Sequence, residues 1–189
     1  MADTSDLKKG VVIEYEGDLW QIDDTTLVDQ ARGSAVVRVD MTNLFEGHSQ
    51  EETFQSGTKV DIADIRHQNM QYLYKENGRY AFMDQDSYET VEVNENVVGE
   101  DKKYLKEGLE VIMKLHEGRP VAMKLPQKIT YEVKQAPPAT KGDTASGNVT
   151  KEVVLENDLQ VDAPVFIEQG ELININTESG EYAERASEN

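Results

Sequence analysis

The residue best suited to contact a nucleic acid is Arg32, which stands among small residues between two strand-like runs. A guanidinium is permanently charged, can bind phosphate oxygens through two parallel hydrogen bonds, and can stack on a base. Short neighbouring side chains would let the end of a hairpin enter a narrow channel. An ordinary solvated turn explains the same residues, so both interpretations stay open. The predicted tip loop around Arg32 consists of Asp29, Gln30, Ala31, Gly33 and Ser34.

A second loop with binding potential runs from Gln135 to Asn148 and is rich in polar residues, proline and glycine. Long polar loops between strands often carry function. Its centre, residues 141–147, offers backbone amides and hydroxyls that could contact a nucleic-acid strand. The composition fits a flexible connection equally well.

The sequence shows no set of residues with the spacing expected for catalysis or metal binding. His48, His67 and His116 are far apart and lack the spacing of metal ligands. The chain has no cysteine, which excludes disulfides and thiol chemistry, and it has no glycine-rich phosphate loop. The sequence therefore predicts no catalytic residue, no metal site, no cofactor and a protein that is not an enzyme.

The formal net charge of −18 over 189 residues disfavours extensive contact with nucleic acid. The charge is uneven, because the segment 65–127 holds 9 of the 19 basic residues. Such a protein would have to bind RNA through local basic patches. No apolar run approaches the roughly 20 residues that span a bilayer, and residues 1–6 lack the features of a secretory signal. We therefore expect no membrane contact and a cytoplasmic location.

Short strands separated by turn signals predict an all-β fold. Asn77-Gly78 supplies the positive φ angles that a tight hairpin needs. Helical signals are sparse, and one short helix is expected from Asp101 to Glu107, ending at Gly108. Four hairpins are predicted: Val11–Tyr15 with Leu19–Ile22, Tyr72–Tyr74 with Tyr80–Met83, Val111–Leu115 with Val121–Leu125, and Leu172–Ile175 with Glu181–Ala183.

Several stretches resemble the bacterial elongation factor P family, and the resemblance covers essentially the whole chain. The C-terminal stretches are the most specific, with two departures. Asp158 stands where the family usually has Gly, which implies an altered turn, and Ala163 stands where it usually has Val. The matching stretches are Asp6–Ile22, Met70–Tyr88, Lys151–Val153, Val161–Gly170 and Ile175–Tyr182.

This resemblance implies three small β-barrel domains in an L shape that mimics a tRNA in outline. The first domain is expected to be SH3-like and the other two OB-type. Cuts after residues 64 and 127 give an N-terminal domain 1–64 that carries the tip loop, a middle domain 65–127 and a C-terminal domain 128–189.

The resemblance also implies a function in translation. The family binds ribosomes stalled on consecutive prolines and reaches the acceptor end of the peptidyl-tRNA with the tip of its first domain. We therefore expect Arg32 to promote peptide-bond formation by positioning the tRNA. The expected partners are both ribosomal subunits, the peptidyl-tRNA and the messenger RNA in the exit site. The protein is expected to be a monomer.

Arg32 occupies the position where most of the family carries a modified lysine. A subset carries a rhamnose-modified arginine there, and the elongation factor P-like paralogue has a similar Ala-Arg-Gly tip. Arg32 is therefore either a rhamnosylation site, which would require an arginine-modifying glycosyltransferase, or an unmodified arginine. Asp29 replaces a usually basic residue and should weaken attraction to RNA.

Two further sites follow from the resemblance. Gly142, Asp143 and Thr144 are similar to a family motif that contacts the messenger RNA. Tyr182 and Arg185 match a C-terminal family pattern that we assign to tRNA or ribosome contact. A rival interpretation is a stand-alone OB-type RNA-binding protein, which predicts aromatic stacking platforms and a basic groove. The net charge and the single tryptophan, placed in a strand, argue against it.

Overall fold

The computed structural model describes residues 2–28, 35–138 and 149–186. Within these ranges the chain is nearly all β and forms three antiparallel sheets that follow one another along the sequence. The predicted all-β class with three β domains is therefore confirmed. In the described ranges, no helix is long and apolar enough to cross a membrane.

The first sheet has the strand order β1-β6-β2-β3-β4-β5. Its buried side chains alternate along β4, where Val37, Val39 and Met41 face inward, as expected for a sheet with one covered face. Its strands are β1 Ala2–Asp3, β2 Val12–Tyr15, β3 Asp18–Val28, β4 Val36–Asn43, β5 Ser49–Gln55 and β6 Lys59–Ile62.

The second sheet has the order β11-β10-β7-β8-β9. The turn that joins β7 to β8 holds Asn77 at φ 50° and Gly78 at φ 79°, as the Asn-Gly signal predicts. Its strands are β7 Ile65–Glu76, β8 Arg79–Asp84, β9 Thr90–Asn94, β10 Glu110–His116 and β11 Arg119–Lys124. A third sheet, in the order β14-β13-β12-β15-β16, consists of β12 Lys128–Gln135, β13 Thr150–Leu155, β14 Gln160–Pro164, β15 Leu172–Asn176 and β16 Tyr182–Arg185.

The four predicted hairpins are present, but the helix prediction was wrong in its bounds. Helix α1 spans Glu95–Val98, and a 3-10 helix follows over Gly99–Tyr104. The α-helix stops because Gly99 takes φ 60°. Leu105 is then extended and buried, so burial of its side chain ends the helical segment before Glu107.

The second and third sheets share one hydrophobic core, whereas the first sheet has its own. Tyr131 of β12 lies fully buried in the shared core, and its hydroxyl donates a hydrogen bond to the carbonyl of Tyr104. Asn157 also donates to the carbonyl of Lys103, at 2.8 Å, and Lys106 pairs with Glu156 at 2.8 Å. These contacts join the middle and C-terminal sheets into one packed unit.

A smaller apolar cluster joins the first sheet to the second. It consists of Val12, Leu19, Ala63 and Val121. Nearby, Lys114 Nζ donates to Gln21 Oε1 at 2.7 Å. We propose the domain divisions after residues 64 and 127, which fall in the short connections between β6 and β7 and between β11 and β12. The L-shaped arrangement stays a prediction.

Candidate nucleic-acid interface

The β3–β4 ribbon forms the base of the predicted tip loop. Its strands pair from Trp20 opposite Asn43 up to Val28 opposite Val36. The sequence prediction ended the first of these strands at Ile22, but β3 continues to Val28. Arg32 and the loop residues Asp29, Gln30, Ala31, Gly33 and Ser34 lie outside the described residues.

Strand β5 supports the ribbon along its full length. It pairs with β4 as far as Gln55 opposite Val36, and Ser56 N–H donates to the carbonyl of Ala35 at 2.9 Å. Underneath, Tyr15 and Phe54 meet edge to face with ring centroids 5.6 Å apart. Backbone pairing therefore continues to Val36 on the β3 side of β4 and to Ala35, the residue that follows the tip loop, on the β5 side.

A bulge twists the ribbon near its middle. The register shifts between Ile22 and Asp24, which leaves Asp23 as the extra residue on β3. Asp23 accepts a hydrogen bond from Thr42 Oγ1 at 2.6 Å, which ties the bulge to the neighbouring strand. Bulges increase local twist and change the direction of a strand. The Asp23–Thr42 bond therefore lies at the point where the bulge changes the direction of β3.

The outer face of the ribbon is acidic. Asp24, Asp40 and Glu51 lie directly opposite one another on β3, β4 and β5, and all three are exposed. Arg38 offsets part of this charge through an ion pair with Glu51 at 3.3 Å. Carboxylates in one row repel phosphate. The sides of the ribbon are therefore poorly suited to RNA, and attraction has to come from its end.

Leu27 is a large apolar residue close to the tip loop on β3 and is 62% exposed. It lies opposite Val37, which is buried, so it continues the inner face beyond the edge of the core. Sequence reasoning missed it, because it placed the end of the strand five residues earlier.

Arg185 is held at one edge of the third sheet. Its guanidinium pairs with Glu171 Oε1 at 3.0 Å and lies 5.3 Å from the ring centre of Phe166. Half of the Arg185 side chain and 59% of Phe166 remain exposed. A guanidinium oriented in this way keeps hydrogen-bond donors free for a phosphate or a base edge. Sequence reasoning identified Arg185 but not its partners Phe166 and Glu171.

Tyr182 is half-buried and packs against the shared core. Its role in the structure is thus at least partly in packing, whereas half of the Arg185 side chain stays exposed. Both were assigned from sequence to tRNA or ribosome contact, and that assignment stays a prediction.

The second predicted loop connects β12 to β13. Gly142, Asp143 and Thr144 lie outside the described residues. At its base, Lys151 Nζ donates to the carbonyl of Pro137 at 2.9 Å. This bond joins the two sides of the loop close to where it begins and ends.

Two of the three histidines, His48 and His116, make structural contacts. His48 meets the ring of Trp20 edge to face, and His116 Nδ1 lies 3.2 Å from the carbonyl of Asp64. In the part of the chain that the structure describes, no group of His, Asp and Glu is placed to hold a metal ion.

Three family models match consecutive parts of the chain. The model described as the elongation factor P KOW-like domain matches residues 3–60, and the elongation factor P OB domain matches residues 65–123. The elongation factor P C-terminal model matches residues 129–185.

Relatives over the full length of the chain are also known. Elongation factor P of Thermosipho africanus strain TCF52B is 37% identical over 186 residues, which covers 98% of this chain and 100% of that protein. Among solved structures, eukaryotic translation initiation factor 5A from Methanococcus jannaschii superposes with a TM-score of 0.53 at 25% identity. The match covers 66% of this chain and 90% of that one.

Proposed function

Because this chain belongs to the elongation factor P family, we propose that it binds the ribosome beside the peptidyl-tRNA and promotes peptide-bond formation at runs of prolines. Family membership makes it a translation factor. Beyond this, we propose where the factor binds on the ribosome, that it acts at runs of prolines, and that Arg32 carries this activity.

The observation that carries the proposal is the length of the β3–β4 ribbon. Its backbone pairing reaches Val28 and Val36, so the two ends of the loop that contains Arg32 are held in register. The acidic row on the ribbon would keep its sides away from RNA, which leaves the loop as the contact. Arg32 at this position would bind the acceptor end of the peptidyl-tRNA.

The proposed mechanism is positional. Proline is a poor nucleophile with a constrained geometry, and holding the peptidyl-tRNA in an attack-competent pose lowers the entropic part of the barrier. The factor forms no covalent intermediate in this scheme. The messenger RNA in the exit site would be contacted by Gly142, Asp143 and Thr144.

Reconstituted translation tests the proposal. Two messages are compared, one with a run of prolines and one without, and the rate of full-length synthesis is measured with and without the factor. The factor should accelerate the first message and have little effect on the second. No selective gain on the proline message would contradict the proposed function.

The same assay tests the tip loop. Arg32→Ala should remove most of the gain, because a charged hydrogen bond lost from the transition state costs roughly 1.5–3 kcal/mol, or about 10–150-fold in rate. Arg38→Ala is the matched control, since Arg38 lies on the same ribbon with its side chain half exposed. Equal losses in both variants, or none in Arg32→Ala, would show that the tip has no special role.

A further inference from the structure

A cleft of about 750 Å³ lies where the three sheets meet. Its lining includes residues of the segment before β2, of β10 and β11, and of the turn between β15 and β16. Among them are Lys9, Asp101, Lys114, Lys124, Gln127 and Glu178.

Three lysines give part of this cleft a positive charge, although the protein as a whole is strongly acidic. Lys9 and Lys124 are exposed, and Lys114 is half-buried. Among the described residues, no carboxylate lies within ion-pair distance of any of the three. Other described lysines also lack such a partner, so what distinguishes these three is that they share one cleft in a chain with 37 acidic residues.

Lys114 and Lys124 are placed together by the register of β10 and β11. Ile112 lies opposite Lys124, and Lys114 lies opposite Ala122, so the two lysines are diagonal neighbours on one face. Burial lowers the pKa of Lys114, and the charge of Lys124 lowers it further. The hydrogen bond to Gln21 satisfies one donor of Lys114 but supplies no negative charge. A bound anion would relieve this repulsion.

Two carboxylates also line the cleft, Asp101 and Glu178. Burial raises the pKa of Asp101, and the nearby Lys103 opposes that shift. Glu178 is exposed in the β15–β16 turn. Both weaken the attraction for an anion close to them, so the positive charge is concentrated near β10, β11 and the segment before β2.

We propose that this cleft binds the sugar–phosphate backbone of RNA through Lys9, Lys114 and Lys124, an inference that rests on the proposed function. Lysines are mobile point charges that suit a backbone better than a single shaped anion. They come from separate elements along an open cleft, which fits several phosphates in succession. Gln127 adds an exposed amide that can bond to a ribose hydroxyl.

The test is the salt dependence of ribosome binding. The dissociation constant of the full-length protein for ribosomes is measured over a series of KCl concentrations, for the parent and for the combined variant Lys9→Gln, Lys114→Gln, Lys124→Gln. Each lost phosphate contact should reduce the slope of log affinity against log salt by roughly 0.7–0.9, so the combined variant should lose about 2–3. Its affinity at low salt should fall by about tenfold or more.

Two controls make the result specific. Lys59→Gln removes an exposed lysine of β6, outside the cleft, and should leave the slope unchanged. Glu178→Gln should tighten binding, because it removes a negative charge from the cleft. Lys114→Gln alone should keep or raise the melting temperature, since burial disfavours its charge. If Lys114→Gln fails to fold, the double variant Lys9→Gln, Lys124→Gln, which changes only exposed residues, is used for the test instead.

Ribosomes with and without a tRNA in the peptidyl site separate the two sources of phosphate. If the combined variant loses affinity only for ribosomes that hold the tRNA, the contact is with the tRNA. If it loses affinity for both kinds of ribosome, the contact is with ribosomal RNA. An unchanged slope in the combined variant overturns the cleft proposal. A parent that binds ribosomes without accelerating proline messages overturns the proposed function alone, and a parent that does not bind overturns both.

Discussion

Tyr182 and Arg185 lie on the same side of the third sheet, although three positions separate them in the sequence. Tyr182 is opposite Ile175 and Arg185 is opposite Ile173, because a bulge between them shifts the register. Ile173 and Ile175 are both fully buried, so the two side chains share the inner face. A regular strand would have placed them on opposite faces. The bulge thus places the packed ring of Tyr182 and the guanidinium of Arg185 on the same side of the sheet, at its edge.

Arg185→Ala should weaken ribosome binding by roughly 10–150-fold, the equivalent of about 1.5–3 kcal/mol for a charged contact. Stability should change little, because the Arg185 side of its ion pair with Glu171 is half exposed and surface pairs contribute about 0–1 kcal/mol. Arg79→Ala is the control, since Arg79 also pairs with a carboxylate, that of Glu92, at the surface. Ribosome affinity and thermal melting are measured for both. Equal affinities for the two variants would contradict the assignment of Arg185.

The shared core gives a second prediction. Tyr131→Phe should lower the free energy of unfolding of the middle and C-terminal sheets by roughly 1–3 kcal/mol, because the buried carbonyl of Tyr104 loses its donor. Tyr74→Phe is the control, since half of Tyr74 is exposed. Urea unfolding is followed by circular dichroism and by the fluorescence of Trp20, the single tryptophan, which lies in the core of the first sheet.

The two probes should respond differently. The Trp20 signal should keep its midpoint in Tyr131→Phe, whereas the circular dichroism signal should shift, because the first sheet has a core of its own. An identical shift in both signals would show that the three sheets unfold as one unit.

Local signals explain why the hairpins could be predicted. The Asn77-Gly78 pair and the polar turns before β11 and β16 act within a few residues, and apolar alternation marks the strands beside them. The extension of β3 to Val28 could not be recognised, because Asp23 and Asp24 interrupt the alternation. Only pairing with β4 makes these residues part of a strand.

Non-local contacts explain what sequence reasoning missed. The sharing of one core by two sheets arises from contacts such as that between Tyr131 and Tyr104, which no pattern along the chain predicts. Lys114 and Lys124 are likewise brought together by the register of β10 and β11, and packing between sheets adds Lys9 to the same cleft. Arg32 was identified from its residue type and small neighbours and Arg185 through family resemblance, whereas the residues that orient Arg185 became visible only in the structure.

Replacing Gly142, Asp143 and Thr144 together with Ala should lower rescue on proline messages and leave the fold intact. Asp143 and Thr144 offer an acceptor and a hydroxyl to base edges or sugars, and Gly142 permits a close backbone approach. Rescue rate and thermal melting are measured on the same preparation. An unchanged rate at unchanged melting temperature would count against a role for this loop in binding messenger RNA.

The protein purified from its natural source should carry either an unmodified Arg32 or one sugar on it. An amino-acid-type extension of the lysine kind is not expected, because a guanidinium does not offer the amine that a lysine-specific enzyme uses. Mass spectrometry of tryptic peptides around Arg32 decides between the forms, and a modified Arg32 should resist cleavage by trypsin. Detection of an amino-acid adduct at this position would refute the prediction.

Arg32→Lys should recover only part of the activity that Arg32→Ala loses. Lysine keeps the positive charge but lacks the planar group that binds two phosphate oxygens at once and stacks on a base. Asp29→Asn, in contrast, should be neutral or mildly stimulating, because it removes a carboxylate close to a phosphate-rich target. Rates on the proline message are measured at saturating and at limiting concentrations of the factor. A lower rate at saturation indicates a loss in the positioning step, whereas a lower rate only at limiting concentration indicates a loss in binding. If Arg32 were only a solvated turn residue, both variants would match the parent at every factor concentration.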